Sequence, residues 1–145
     1  MNSFTIRETA YQSPEYQQSV SLREAVLRQP IGMVLTSADL QQDAGDRHIV
    51  CIEADRLLGC LVLSPQSADE IQVRQVVVDP QIQRRGIGRA LMAFAEDVSR
   101  AHGFSRITLH ARFTAIPFYE LLNYQKVGEP FEQVTLPHWE MEKLL

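Results

Sequence analysis

Val76-Val77-Val78-Asp79-Pro80-Gln81-Ile82-Gln83-Arg84-Arg85-Gly86-Ile87-Gly88-Arg89 joins a strand to a helix through a basic, glycine-bearing corner. The β-branched run suits a strand, and Asp79-Pro80 ends it. Beyond the corner, Ile87, Leu91, Phe94 and Val98 recur at three- and four-residue spacing, which predicts an amphipathic helix from Gly86 to about His102. Gly103 is placed to stop that helix in the left-handed conformation. Two glycines let a ligand approach the backbone closely, and the first helical N–H groups have no partner inside the helix. With the helix dipole they form a site for a pyrophosphate, and Arg84, Arg85 and Arg89 add cationic side chains. By itself Gly-x-Gly also fits a plain corner with solvated arginines. Ala90 and Leu91 exclude the dinucleotide fingerprint, and no Lys-Ser/Thr follows to make a P-loop.

Outward from this corner, strand and helix periods alternate along the chain. Phe4 to Glu8 reads as a strand, and a helix follows from Pro14 to about Arg28, with an imperfect apolar stripe of Val20, Ala25, Val26 and Leu27. Residues 36–46 read as a polar loop with scope for movement. His48 to Glu53 and Leu57 to Leu63 read as a β-hairpin. Glu70 to Asp79 is a strand whose apolar phase breaks. Ile71, Val73 and Val77 share a face, yet Val76 and Val78 are apolar too. A β-bulge near Arg74-Gln75 reconcile these phases and frees backbone groups for a ligand; a strand buried on both faces at one end is the alternative. A strand at Ile107 to Leu109, a short helix at Ala115 to Leu122 ended by Asn123, and strands at Tyr124 to Val127 and Val134 to Met141 complete the order. The sum is one mixed α/β (α+β) domain over residues 1–145.

Composition agrees with a globular chain: 145 residues, 45% hydrophobic and 22% charged. Fourteen Lys+Arg against eighteen Asp+Glu give a net charge of −4, which argues against nucleic acid or an anionic membrane as partner. It slightly favours a cationic amine as substrate. The longest apolar stretch, Leu57 to Leu63, is too short to span a bilayer, and no signal peptide is visible, so a cytoplasmic protein is expected. Cys51 and Cys60 are too few for a disulfide scaffold or a zinc site, and no metal is expected. With a two-residue turn at Asp55-Arg56 they would pair across the hairpin as reduced thiols.

Two motifs carry a family resemblance. Val76-x-Val78-x-Pro80 leading into Gln83-x-x-Gly86-x-Gly88 resembles motif A of the GNAT superfamily of acyl-CoA-dependent N-acyltransferases, and Ala115-x-x-Phe118-Tyr119-x-x-Leu122-x-Tyr124 resembles its motif B. The resemblance is strong over residues 48–128. Leu22-Arg23-x-x-Val26-Leu27-Arg28-x-Pro30-x-Gly32 and Leu136-Pro137-His138-x-x-Met141-x-Lys143 resemble a branch of small bacterial-type members. The implied fold is a mostly antiparallel central sheet with splayed middle strands and helices on both faces. The implied activity is transfer of an acetyl group from acetyl-CoA to a primary amine by direct attack in a ternary complex. A non-catalytic acyl-CoA-binding or interaction module, or transfer of another acyl group, stands as the alternative.

The resemblance also implies roles. Arg84, Arg85, Gly86, Ile87, Gly88 and Arg89 would hold the CoA pyrophosphate, and Val76, Val77 and Val78 would pair with the pantetheine arm. Tyr119 matches the general acid; an ordinary tyrosine is protonated at neutral pH and donates without activation. Arg112 stands where the family commonly has an asparagine that contacts the cofactor, and its longer cationic side chain suits CoA phosphates or an acidic substrate. Glu70, His110 and His138 are candidates for the base, with His138 ranked first. Arg23 and Arg28 lie on the helix that borders the acceptor site in this family and suit a substrate carboxylate or phosphate. Members often dimerise, and a homodimer is one expectation here.

Overall fold

The computed structural model describes residues 3–82 and 85–145. Its elements run β1 (Thr5–Thr9), α1 (Pro14–Leu27), α2 (Ser37–Gln42), β2 (Arg47–Glu53), β3 (Arg56–Pro65), β4 (Glu70–Val78), α3 (Ile87–Ala101), β5 (Arg106–Arg112), α4 (Ile116–Leu121), β6 (Gln125–Gln133) and β7 (Leu136–Leu144). The strands form one sheet in the order β1-β2-β3-β4-β5-β7-β6. Every pairing is antiparallel except β4 with β5.

That parallel pair is short. It holds only from Glu70↔Arg106 to Val73↔Leu109, after which the strands part. The expected bulge sits at the parting point. Val62 faces Arg74 and Cys60 faces Val77, so Leu61 alone spans Gln75 and Val76, and Gln75 has φ +53°. The phase break in the sequence is therefore a local change in which side chains face the core.

Helices cover both faces. On one, Leu22, Val26 and Leu27 of α1 pack on Val50, Leu57, Cys60 and Val77. On the other, Ile87, Leu91, Met92 and Ala95 of α3 join Ile49, Cys51, Leu61 and Leu109 in the main core. Gly59 makes the second contact close: a Cβ there would lie 2.9 Å from Val77 O and 3.2 Å from Ile87 and Leu91 side-chain carbons. Gly103 and Asn123 have φ +85° and +72° and end their helices as expected.

Three expectations need correction. The polar stretch 36–46 is ordered: α2 begins with a capping box between Thr36 and Asp39, and Asp43 just beyond it is fully buried. The expected stripe of α1 is only partly inward: Val26 and Leu27 pack on the sheet with Leu22, Ala25 is exposed, and the fully buried residues are Tyr16, Ser19 and Arg23. The hairpin turn is Ala54-Asp55, both at positive φ, with Glu53 opposite Arg56. A further register shift sets Cys51 opposite Gly59 and Cys60 opposite Val50. The two cysteines thus enter different cores on opposite faces of the sheet. Burial pushes the Cys51 thiol up to about 11 and the Cys60 thiol up to about 12, so both stay protonated and neither is poised as a nucleophile.

Among the described residues no helix is long and apolar enough to cross a membrane.

Candidate active site

Where β4 leaves β5, two cavities open and share one wall. The first, about 400 Å³, runs along Val76, Val77 and Val78 to Arg85, Gly86, Ile87, Gly88 and Arg89 at the start of α3. The second, about 480 Å³, lies between the end of α1, the outer part of β4, the end of β5 and the β6–β7 turn. Val76, Ala115 and Tyr119 line both.

The first cavity fits a pyrophosphate carrier. Gly86, the N-cap of α3, has φ +74°, and no side chain among the described residues caps the helix. Among the described residues a Cβ on Gly86 would meet nothing within 4 Å, so none of them closes the space above the first-turn amides. Its left-handed backbone is what requires glycine there. Gly88 serves packing: a Cβ there would press on the Phe118 ring at 3.3 Å. Phe118 thereby seats α4 against the start of α3, with Tyr119 edge-on to it at 5.1 Å. Arg85 is committed to Glu53 through two hydrogen bonds of 3.0 and 2.7 Å, and this pairing holds the Glu53 carboxyl down near 2. Arg89 is exposed, with no ion pair among the described residues. Arg84 lies outside the described residues.

Tyr119 is 7% exposed, and its hydroxyl has no hydrogen-bond partner among the described residues. Burial raises its pKa well above the ordinary tyrosine value, so it holds its proton at neutral pH. His138 lines the second cavity and sits opposite Arg112 in the β5–β7 ladder. Its Nδ1 donates to Leu136 O at 2.9 Å, since a carbonyl only accepts. Nε2 is then the basic nitrogen of the neutral ring. Burial lowers the His138 pKa, and the charges of Arg112, His110 and Arg28 lower it further, against the opposing hydrogen bond to Leu136.

The remaining sequence candidates separate clearly. His110 lines the second cavity but is exposed, with its ring 5.0 Å from Phe131. Glu70 lines neither cavity. It accepts from Arg106 at 2.6 Å and from Thr108 Oγ1 at 3.0 Å. Arg112 lines the second cavity only, so the structure does not place it on the groove where a cofactor contact was expected. Arg28 stands beside it. Arg23 is fully buried and held bidentately by Asp43 at 2.9 and 3.2 Å, with Nε donating to Gln75 Oε1. A substrate anion would have to displace Asp43, so Arg23 is a structural residue supporting the bulge. The sequence placed Gln75 at the bulge but showed neither its side-chain contact with Arg23 nor the burial of Asp43, because those contacts lie 52 and 20 residues apart along the chain.

The Acetyltransferase (GNAT) domain family matches residues 24–145. The chain belongs to the GNAT acetyltransferase family. A UPF0039 protein of Schizosaccharomyces pombe is 30% identical over 97 residues, covering 65% of each chain. The mycothiol acetyltransferase of Mycolicibacterium smegmatis is 35% identical over 69 residues, but this GNAT chain spans only 23% of its length. Among solved structures, an N-acetyltransferase-like protein of Lactobacillus plantarum superposes with a TM-score of 0.87 at 26% identity, covering 99% of both chains. A GNAT family acetyltransferase of Elizabethkingia anophelis, solved with acetyl-CoA bound, shares the fold at a TM-score of 0.75 and 13% identity over the whole of both chains.

Proposed function

We propose that this GNAT domain transfers an acetyl group from acetyl-CoA to a primary amine by direct attack in a ternary complex. The observation that carries this reading is the position of Tyr119, on the wall common to the two cavities. A donor in one cavity and an acceptor in the other would meet at its hydroxyl.

The groove has the chemistry for the donor: open first-turn amides at Gly86 to Arg89 for a pyrophosphate and the parted edge of β4 at Val76 and Val77 for an extended arm. Bound there, acetyl-CoA supplies a thioester whose acyl C–S bond is exchanged for an acyl C–N bond. The chain's own work is to move protons. Attack requires a neutral amine, and the neutral Nε2 of His138 takes the proton an acceptor ammonium must lose, directly or through a water. Tyr119 Oη gives a proton to the departing sulfur and is restored by the proton that the attacking nitrogen sheds as the amide forms, while the proton held at His138 passes to solvent. The balance is one amine and one acetyl thioester to one amide and one free thiol. Burial serves both groups, because each is in the required protonation state at neutral pH.

Calorimetry with acetyl-CoA and a coupled assay of thiol release test this reading. Acetyl-CoA should bind, and Gly86→Val should weaken that binding while leaving the melting temperature within a few degrees, since the added Cβ meets open space but sits on a strained backbone. Tyr119→Phe should lower kcat by about 10²-fold or more with the KM for acetyl-CoA unchanged. Full kcat in Tyr119→Phe would sink the acid assignment. Donor binding without turnover on any amine would instead favour a non-catalytic acyl-CoA-binding module.

A further inference from the structure

The acceptor-side cavity differs in charge from the molecule as a whole. The chain is acidic at −4, yet three arginines line this cavity and Asp39 is the single carboxylate among its lining residues. That carboxylate is engaged, accepting the Thr36 N–H at 2.9 Å in the α2 capping box. Arg74 is neutralised by Asp46 at 2.8 Å. Arg28 and Arg112 have no carboxylate partner among the described residues. Their guanidinium groups converge on one backbone oxygen: Arg112 Nη2 donates to Leu27 O at 2.8 Å and Arg28 Nη1 to the same atom at 3.3 Å. Two like charges held together against a partly desolvated wall are costly unless something anionic joins them. Each guanidinium keeps most of its five N–H donors free for that role.

We infer that the acceptor of this enzyme carries a carboxylate as well as its amine, and that Arg28 and Arg112 bind that carboxylate. The inference rests on the proposed transfer to an amine and narrows it to free amino acids and compounds like them. A planar guanidinium matches the two oxygens of a carboxylate, and a pair of them fixes its orientation. Arg112 faces His138 across the β5–β7 ladder, so a carboxylate held there leaves the amine of the same molecule within the cavity that both His138 and Tyr119 line. At about 480 Å³ the cavity is of small-molecule size. The bulk acidity of the sequence, which points toward a purely cationic acceptor, is overruled by the local arrangement.

The test compares thiol release with the twenty standard L-amino acids, with the amines that lack their carboxylates, with their methyl esters, and with phosphoethanolamine. At least one amino acid should exceed its decarboxylated and esterified counterparts by about 10- to 100-fold in kcat/KM, the range of one to two charge-assisted hydrogen bonds. Arg28→Gln and Arg112→Gln should each raise the KM for that amino acid about tenfold and erase the preference, while the KM for acetyl-CoA and the melting temperature stay near wild type. Arg28 is only half-buried, so its variant keeps the test open should Arg112→Gln fold poorly. Calorimetric binding of N-acetyl amino acids to the CoA-loaded protein supplies a readout independent of turnover, and the same two variants should abolish it. Three results would overturn the inference: equal use of amines without an anion, a preference for phosphoethanolamine, or no binding of any N-acetyl amino acid. A rise in the KM for acetyl-CoA in place of the acceptor would also overturn it, by returning Arg112 to the donor. Failure of the transfer reading is distinct, appearing as donor binding with no thiol release from any amine.

Discussion

Removing the Asp43 carboxylate should be among the most damaging single changes to this fold. Asp43 is fully buried, and its Oδ2 accepts from Arg23 Nη1 at 2.9 Å and from Tyr16 Oη at 2.7 Å, while Oδ1 accepts from Arg23 Nη2 at 3.2 Å. In Asp43→Ala the Arg23 guanidinium stays at zero exposure with its counter-charge gone, and the Tyr16 hydroxyl loses its acceptor. Breaking one side of a buried pair costs about 3–5 kcal/mol. That is a large part of the roughly 5–15 kcal/mol holding an ordinary domain together. For a chain of this length each kcal/mol is worth about 2–4 °C, so scanning calorimetry should record a fall of about 6–20 °C. Replacing both charges, as in Arg23→Met/Asp43→Leu, should cost less than Asp43→Ala alone, since no unpaired charge remains inside. If the first cavity holds acetyl-CoA as proposed, the same variants should raise the KM for acetyl-CoA, because Arg23 Nε donates to the side chain of Gln75 at the bulge next to Val76, which lines that cavity. If Asp43→Ala melts within about 2 °C of wild type, the network is not the structural element described here.

Two further outcomes can be checked directly. The β6–β7 turn is Val134-Thr135, with φ +45° and +65°, a conformation that costs a β-branched residue about 1–2 kcal/mol; Val134→Asn/Thr135→Gly should raise the melting temperature by roughly 2–8 °C, and a fall would refute the strain. For His138, NMR titration of the ring should give a midpoint below the ordinary 6.5, and Arg112→Leu should move it upward by removing one of the charges that depress it. The sign for stability follows: the folded ring prefers to be neutral, so this group's contribution is present above about 6.5 and is lost as the pH falls toward the folded-state pKa. A midpoint at or above 6.5 would contradict the burial of His138 described above.

What the sequence revealed depended on the range over which each feature is encoded. Local signals transferred well. The α3 period, the glycine at 103, Asn123 and the broken phase of β4 each report a conformation fixed within a few residues, and each appears where expected. Features set by contacts between distant segments did not transfer. Arg23 looks on sequence like a free cation on a helix, and only Asp43, twenty residues on and inside what reads as a loop, makes it a core residue. Arg112 follows the motif spacing toward the cofactor, whereas the carbonyl of Leu27, 85 residues away, draws it to the second cavity. The hairpin register likewise turned on which two residues occupy the bend, a choice that composition at Ala54-Asp55-Arg56 leaves open.

The shared wall of Val76, Ala115 and Tyr119 makes the two cavities neighbouring compartments. With the donor in the first cavity and the acceptor in the second, as proposed, an acyl group longer than acetyl would extend toward the second cavity past a position occupied by alanine. On that proposal, length gained on the donor would be room lost to the acceptor, and selectivity for the two partners would be a single trade in volume. Enlarging residue 115, which lines both cavities, would narrow both, and trimming Val76 would widen both.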